Sequence, residues 1–181
     1  MQDIFKTYKH NPPHHFKENS YYFLTGGTYL KRPYFNTDDK KRILFTVMTE
    51  FMEIYKAKLV CYSIMDNHYH IIFLIKNAYK IPEMVRKIHS KSAVQMKKQW
   101  PLNIGENKIW YNYWDTTIRN EKMLYQFMNY VIYNPLKHGH VEDITDYEFT
   151  SYHWYKGNKK TDITDIIEDV GNLELLGGDD F

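Results

Sequence analysis

The 181-residue chain holds a single cysteine, Cys61, and no apolar run approaching the length that crosses a bilayer. One thiol excludes a disulfide framework and a thiolate zinc cluster, and it suits a reducing compartment. No secretory signal pattern is visible at the start, so a cytoplasmic protein without a membrane partner is expected. Repeats and low-complexity tracts are also missing, and the length suits one domain with a real core. Net charge is nearly missing too, at +2, but the balance is uneven. Residues 158–181 carry 2 Lys against 7 Asp or Glu, which leaves 22 basic and 15 acidic residues before them, or +7. What is abundant is aromatic: 17 Tyr and 10 Phe, many flanked by Lys or Arg. A basic body with interleaved aromatics is a composition of nucleic-acid binders.

Residues 1–19, with Pro12 and Pro13 and no periodicity, read as an N-terminal arm. Residues 20–157 read as the folded domain, and 158–181 as an acidic, mobile tail. Within the domain, Tyr21 to Leu30 forms a first strand in which Gly26 and Gly27 permit a bulge or a close backbone approach. Thr37 is placed to cap a helix over Asp38 to Lys56, with Ile43, Val47, Phe51 and Ile54 at helical spacing. Leu59 to Met65 is a second strand, joined through Asp66-Asn67 to a third that carries His68, His70 and the run from Ile71 to Ile75. A second helix follows from Pro82 to Gln99, with Val85, Ile88, Ser92 and Met96 inward. "NIGENK" is a loop and Lys108 to Ile118 a further strand. Asn120 caps a third helix over Glu121 to Tyr133, closed by Pro135. The order β-α-β-β-α-β-α predicts an α+β fold of the ferredoxin-like, split βαβ kind, an antiparallel sheet with helices on one face.

Side chains alternate across a strand, so His68 and His70 share a face, roughly 7 Å apart along it. Two imidazoles so placed can both reach one small ion, although a lone H-x-H also describes unrelated surface or core histidines. Two such ligands need a further donor and open positions if the metal is to do chemistry. The third helix offers one. Gln126, Tyr130 and Asn134 recur every four residues and make a polar row on an otherwise apolar helix. A phenol and an amide oxygen thus stand side by side, a nucleophile and a hard oxygen ligand. The plainer alternative is that Tyr130 is one of 17 tyrosines and Asn134 a cap before Pro135. Among neighbouring tyrosines, Tyr130 lies about 40° from Asn134 around the helix, Tyr125 about 140° from Tyr130 and Tyr133 about 60° from it. Tyr130 therefore shares a face with Asn134, and Tyr133 is the nearest other tyrosine.

"MDNHYHIIF" followed by "YVIYNPLKHG" resembles the HUH single-tyrosine transposases, most closely the REP-associated tyrosine transposases. His68-Tyr69-His70 matches the H-hydrophobic-H signature, and "NYVIYNPLKHG" the tyrosine helix. "KIWYNYWDTTIRNEK" is similar to the family's Trp-rich strand and "IRN" helix entry. "YEFTSYHWYKG" resembles its W-P-x-S-S region, with Tyr147 and Glu148 where Trp and Pro are common. The likeness runs from Tyr21 to Gly157 and omits the tail.

The resemblance implies an HUH-type endonuclease and strand transferase that cuts and rejoins single-stranded DNA near hairpins through a 5′-phosphotyrosine. It assigns Tyr130 as nucleophile and His68, His70 and Asn134 as ligands of Mg²⁺ or Mn²⁺. Arg86, Lys87 and Lys91 on the second helix, with Arg119, are candidate phosphate contacts. Trp110 and Trp114, with Tyr111 and Tyr113 between them, are candidate stacking surfaces for unpaired bases. The partner is single-stranded or hairpin DNA in the cytoplasm of a prokaryote, associated with the nucleoid; a homodimer and a monomer are equally compatible. A histidine-triad hydrolase is disfavoured because Ile72 stands where a third His belongs. Replication initiators and relaxases often carry extra tyrosines and attached helicase domains, for which the chain has no room. A domesticated DNA-binding module that keeps the fold without cutting is the alternative.

Overall fold

The structure, a computed structural model, describes residues 17–101 and 107–157. The arm up to residue 16, residues 102–106 of the expected loop and the acidic tail lie outside the described residues. The chain runs β1 (Ser20–Thr28), α1 (Asp38–Ile54), β2 (Lys58–Ile64), β3 (His68–Ile75), α2 (Ile81–Gln99), β4 (Trp110–Ile118) and α3 (Glu121–Ile132). Two short helical turns follow, α4 (Asn134–Lys137) and α5 (Tyr152–Tyr155). The four strands form an antiparallel sheet in the order β2-β3-β1-β4, the split βαβ arrangement expected from the element order.

One expectation about the layers is corrected. The sheet is covered on both faces, because β3 is apolar on both sides and each side needs a helix. Tyr69 points to one face, where its hydroxyl bonds His89 Nε2 of α2 at 2.9 Å. Phe45 of α1 packs on Tyr62 of β2 on that same face, with ring centroids 4.6 Å apart. His70 points to the other face and meets Tyr130 of α3. The core on the first face takes Leu44, Val47 and Met48 from α1 and Met84, Val85, Ile88 and Met96 from α2. On the second face Phe127 lies on Phe23 of β1, with ring centroids 4.5 Å apart.

Trp110 belongs to the first core and is corrected from a base-stacking candidate to a structural residue. It is 6 % exposed, its ring lies parallel to His89 at 4.2 Å, and its indole N–H donates to Ser92 Oγ at 3.0 Å. A ring so covered presents no face to a base.

The β2 edge is closed by the C-terminal segment. Ser63 bridges Thr150, Ile64 N–H donates to Phe149 O at 2.9 Å, and Tyr147 donates its hydroxyl proton to Ile64 O at 2.7 Å. Thr150 Oγ1 donates to Ile132 O at 2.9 Å, taking up a carbonyl freed at the end of α3. Edge protection and the placing of α3 are thus one set of bonds.

Gly26 pairs with Tyr69 beside a bulge in the β1–β4 register. A Cβ at Gly26 would stand 2.6 Å from Tyr69 Cζ, inside the ring's van der Waals envelope. Gly26→Ala is expected to destabilise the fold by about 1–3 kcal/mol through overpacking. Urea denaturation should show that Tyr69→Leu removes most of that increment, and an equal cost in both backgrounds would refute the clash.

Candidate active site

His68 opens β3 and His70 follows two residues later, so strand alternation brings both to the α3 face with ring centroids 4.8 Å apart. Each ring is held by a neighbour. Thr25 stands opposite His70 in the β1–β3 register, and its Oγ1 lies 2.6 Å from His70 Nδ1. Asn67 Oδ1 lies 2.6 Å from His68 Nδ1. A carboxamide oxygen only accepts, and the shorter of the two contacts that His68 makes to such oxygens assigns the proton to Nδ1 and leaves Nε2 its lone pair. That lone pair faces Asn134 Oδ1 at 3.3 Å, a second acceptor. Two acceptors turned toward each other are suited to sharing a cation.

Three atoms here are buried without a hydrogen-bond partner: His70 Nε2, Tyr130 Oη and Asn134 Nδ2. Leaving a buried polar group unpaired costs about 1–3 kcal/mol, so three together mark a place built for something else to bind. The Tyr130 ring lies 5.1 Å from His70, and Phe23 packs against both at 5.9 and 5.5 Å.

Burial lowers His68 to about 4, with the positive charge of neighbouring His138 pushing the same way. Burial first, and then His68, His138 and Lys137, hold His70 well below its ordinary value. Both imidazoles are therefore neutral near pH 7, the form that binds a metal. Among the described residues no group of three His, Cys, Asp or Glu is placed to hold an ion. The donors that fit are two neutral imidazoles and an amide oxygen, a mixed set compatible with a hard or borderline divalent ion.

The structure separates the three tyrosines. Tyr125 is half-buried with its hydroxyl on Glu121, and Tyr133 packs edge-on against Tyr152 at 5.9 Å. Of the three, Tyr130 is the one whose ring contacts the histidine pair. The helix stops at Ile132, since Tyr133 leaves helical geometry two residues before Pro135, and Asn134 begins the next turn. Gln126 is half-buried one turn earlier.

Other expected contacts spread out. Trp114 lies on the histidine face, half-buried and edge-on to Phe23 at 5.7 Å, and Arg119 is exposed at the end of β4. Arg86 and Lys87 are exposed on α2, across the sheet from His68 and His70. Lys91 is there too, bonded to Glu50 of α1 at 2.6 Å. α2 therefore lines no part of this site.

Four residues were not singled out from the sequence as parts of the site. Thr25 and Asn67 orient the imidazoles; the adjacency of Asn67 to His68 was the only signal. Lys137 holds its Nζ 4.8 Å from the Tyr130 ring centroid, and the His138 ring lies 5.0 Å from His68. Both stand in "NPLKHG", close behind Asn134.

A family profile described as IS200-like transposase matches residues 6–134, a span that includes His68, His70, Tyr130 and Asn134. The chain belongs to the IS200-like transposase family. Members of this family are DNA-nicking and strand-transfer enzymes. A Haemophilus influenzae protein provisionally named a REP-associated tyrosine transposase is 28 % identical over 148 residues, covering 72 % of this chain and 82 % of its own length. The REP-associated tyrosine transposase of Escherichia coli K12 is 26 % identical over 141 residues, covering 73 % and 80 %. A solved REP-associated tyrosine transposase, bound to a REP hairpin, superposes with a TM-score of 0.66 at 18 % identity, covering 96 % of this chain and 92 % of that one. This likeness shows a shared fold. No helix among the described residues is long and apolar enough to cross a membrane.

An unfolded His68 takes up a proton below about pH 6.5, whereas the folded one does so only near pH 4. Its contribution to stability is full above the first value and lost as pH falls toward the second. Between pH 7 and pH 5 the unfolding free energy of wild type should drop about 2 kcal/mol more than that of His68→Gln. Matching slopes in the two proteins would refute the buried neutral imidazole.

Proposed function

We propose that this IS200-like transposase is a metal-dependent single-stranded DNA endonuclease and strand transferase that cuts and rejoins DNA at hairpin-flanked sites through a 5′-phosphotyrosine on Tyr130. The observation that carries the reading is the convergence of the unpartnered Tyr130 hydroxyl with unpartnered atoms of His70 and Asn134 beside His68. Family membership and the named relatives support it, as does a solved relative of the same fold bound to a REP hairpin. The partner proposed is single-stranded or hairpin DNA, in the cytoplasm of a prokaryotic cell.

The chain's own residues supply the following steps. Tyr130 Oη gives up its proton and attacks phosphorus, the bond to the 3′ oxygen breaks, and that oxygen leaves as a protonated 3′-OH. One ester replaces another, so no ATP is needed, and a 3′-OH can re-attack to release the phenolate, a good leaving group. An unperturbed phenol loses its proton only near pH 10. The Lys137 ammonium above the ring, 4.8 Å from its centroid, favours negative charge on that side chain. His68, His70 and Asn134 would hold Mg²⁺ or Mn²⁺, which supplies Lewis-acid neutralisation of charge on the scissile phosphate. Thr25 and Asn67 keep the imidazoles aimed, and Phe23 keeps Tyr130 against them.

The test is incubation with end-labelled hairpin DNA in Mg²⁺ or Mn²⁺, followed by digestion of the adduct and mass spectrometry. The expected adduct sits on Tyr130, disappears in Tyr130→Phe with DNA binding retained, and falls at least a hundredfold in His68→Ala, in His70→Ala or with chelator. An adduct on Tyr133 would overturn the nucleophile. Hairpin binding with no adduct in any metal would instead indicate a domesticated, non-cleaving module.

Electrostatic binding should also be visible without chemistry. Hairpin affinity is expected to fall steeply between 50 and 200 mM salt by counterion release from phosphates. Salt-independent affinity would exclude a phosphate-tracking surface.

A further inference from the structure

The turn that follows β1 carries a feature the chemistry above does not use. Leu30 and Lys31 have φ of 55° and 54°, two consecutive residues in the left-handed region without glycine. Such backbone is strained for side chains with a Cβ, and it persists only where neighbours hold it. Thr28 Oγ1 donates to Arg32 O at 2.8 Å across the turn, and Asn67 Nδ2 donates to Lys31 O at 3.3 Å. Asn67 is also the residue whose Oδ1 orients His68, so one side chain ties the turn to the active site.

The held turn presents an aromatic surface. Tyr29 N–H donates to Ile109 O at 2.7 Å, setting Tyr29 beside the start of β4. Its ring lies 6.4 Å from Tyr111, which is 55 % exposed. Lys108 Nζ stands over both rings, 5.1 Å from the Tyr29 centroid and 5.4 Å from the Tyr111 centroid. Leu30, at 66 % exposure, forms the rim. The cluster sits at the end of the sheet where Gly27 pairs with His68.

We propose that Tyr29, Tyr111 and Lys108 form a stacking platform for an unpaired DNA nucleotide next to the cleavage site. A base brings a flat face to the rings and a phosphate to the ammonium, and stacking on aromatics tolerates any base. Lys108, exposed on a flexible stem, turns from the rings to the phosphate as the base takes its place. The strained turn keeps Tyr29 fixed before DNA arrives, so little freedom is lost on binding. Buried Trp110, next in sequence to Tyr111, anchors the strand beneath the platform. The platform rests on the DNA-binding part of the proposed function and is independent of cleavage.

Binding is measured in the Tyr130→Phe full-length chain, where no adduct should form, by fluorescence anisotropy. The probes are a blunt DNA hairpin and the same hairpin with a short unpaired flank containing 2-aminopurine. The flank is expected to tighten binding about tenfold and to quench 2-aminopurine through stacking. Tyr111→Ala and Tyr29→Ala should each erase the advantage and the quenching while leaving the blunt hairpin unchanged. Tyr111→Phe, which keeps the ring, should preserve both, and Lys108→Met should lower the salt slope for the flanked probe by about one. If the flank gives no advantage, or if Tyr111→Ala weakens both probes equally, the platform is refuted. Loss of the adduct in the otherwise wild-type chain with the flank advantage intact would refute cleavage and leave the platform standing.

Discussion

The β1–β3 pairing places Thr25 opposite His70 and Gly27 opposite His68, and the chemistry of the protein hangs on that register. A slip of one residue would turn every side chain of β3 to the other face. His68 and His70 would then enter the core beneath α1 and α2, and Tyr69 would point at α3. Burial on both faces makes that slip costly. Gly26 is cut to the shape of Tyr69, and Tyr69 is tied to His89 and packed edge-on against Trp110. The residue between the two histidines thus works as the lock that keeps them facing α3. Its position in the H-x-H pattern reflects packing on the far side of the sheet.

The same division explains where the protein tolerates unmet polar atoms. On the first face, Trp110 Nε1 and Tyr69 Oη each have a partner. On the second, Ser63 Oγ, His70 Nε2, Tyr130 Oη and Asn134 Nδ2 have none. A core that satisfies its polar groups on one side of a sheet and leaves four unmet on the other has a reason for the difference. Neutral, oriented imidazoles beside a carboxamide fit a cation, and the ammonium of Lys137 over Tyr130 adds positive charge beside them.

Much of this was legible in the sequence, because the elements declare themselves locally. The helix over Asp38–Ile54, the hairpin at Asp66-Asn67 and the Asn120 cap all rest on short-range signals, and Asn120 Oδ1 does accept from Met123 N at 2.8 Å. Thr37 marks the start of α1 without a side-chain cap bond, so its position was readable and its interaction was not. The layer of α3 was hidden, since an apolar helix face does not say which side of a sheet it covers. Trp110 was misread for a similar reason: "WYNYW" shows rings at intervals, but the bulge between Gly26 and Thr28 decides which ring goes inward. Thr25 was invisible as a histidine partner because register is a long-range property. The tyrosine helix was easier, since Tyr130 and Asn134 lie one turn apart in any helical reading.

That one-turn relation survives a break in the helix. Pro135 has no N–H to give to the preceding turn, so α3 ends at Ile132, Tyr133 leaves helical geometry and Asn134 starts a second turn. An end buried in the domain leaves carbonyls in need of donors, and Thr150 supplies one to Ile132 O while Ser151 is bonded to Tyr62 across the β2 edge. The Thr-Ser pair therefore fixes the end of α3 against the sheet that carries the histidines. Positioning of Asn134, Lys137 and His138 then depends on a segment far along the chain from β3. Tyr147 closes that clamp by donating its hydroxyl proton to Ile64 O. The candidate site is consequently a junction of three segments, β3, the broken helix and the C-terminal clamp. Loosening any one would misplace groups that must meet within a few tenths of an ångström.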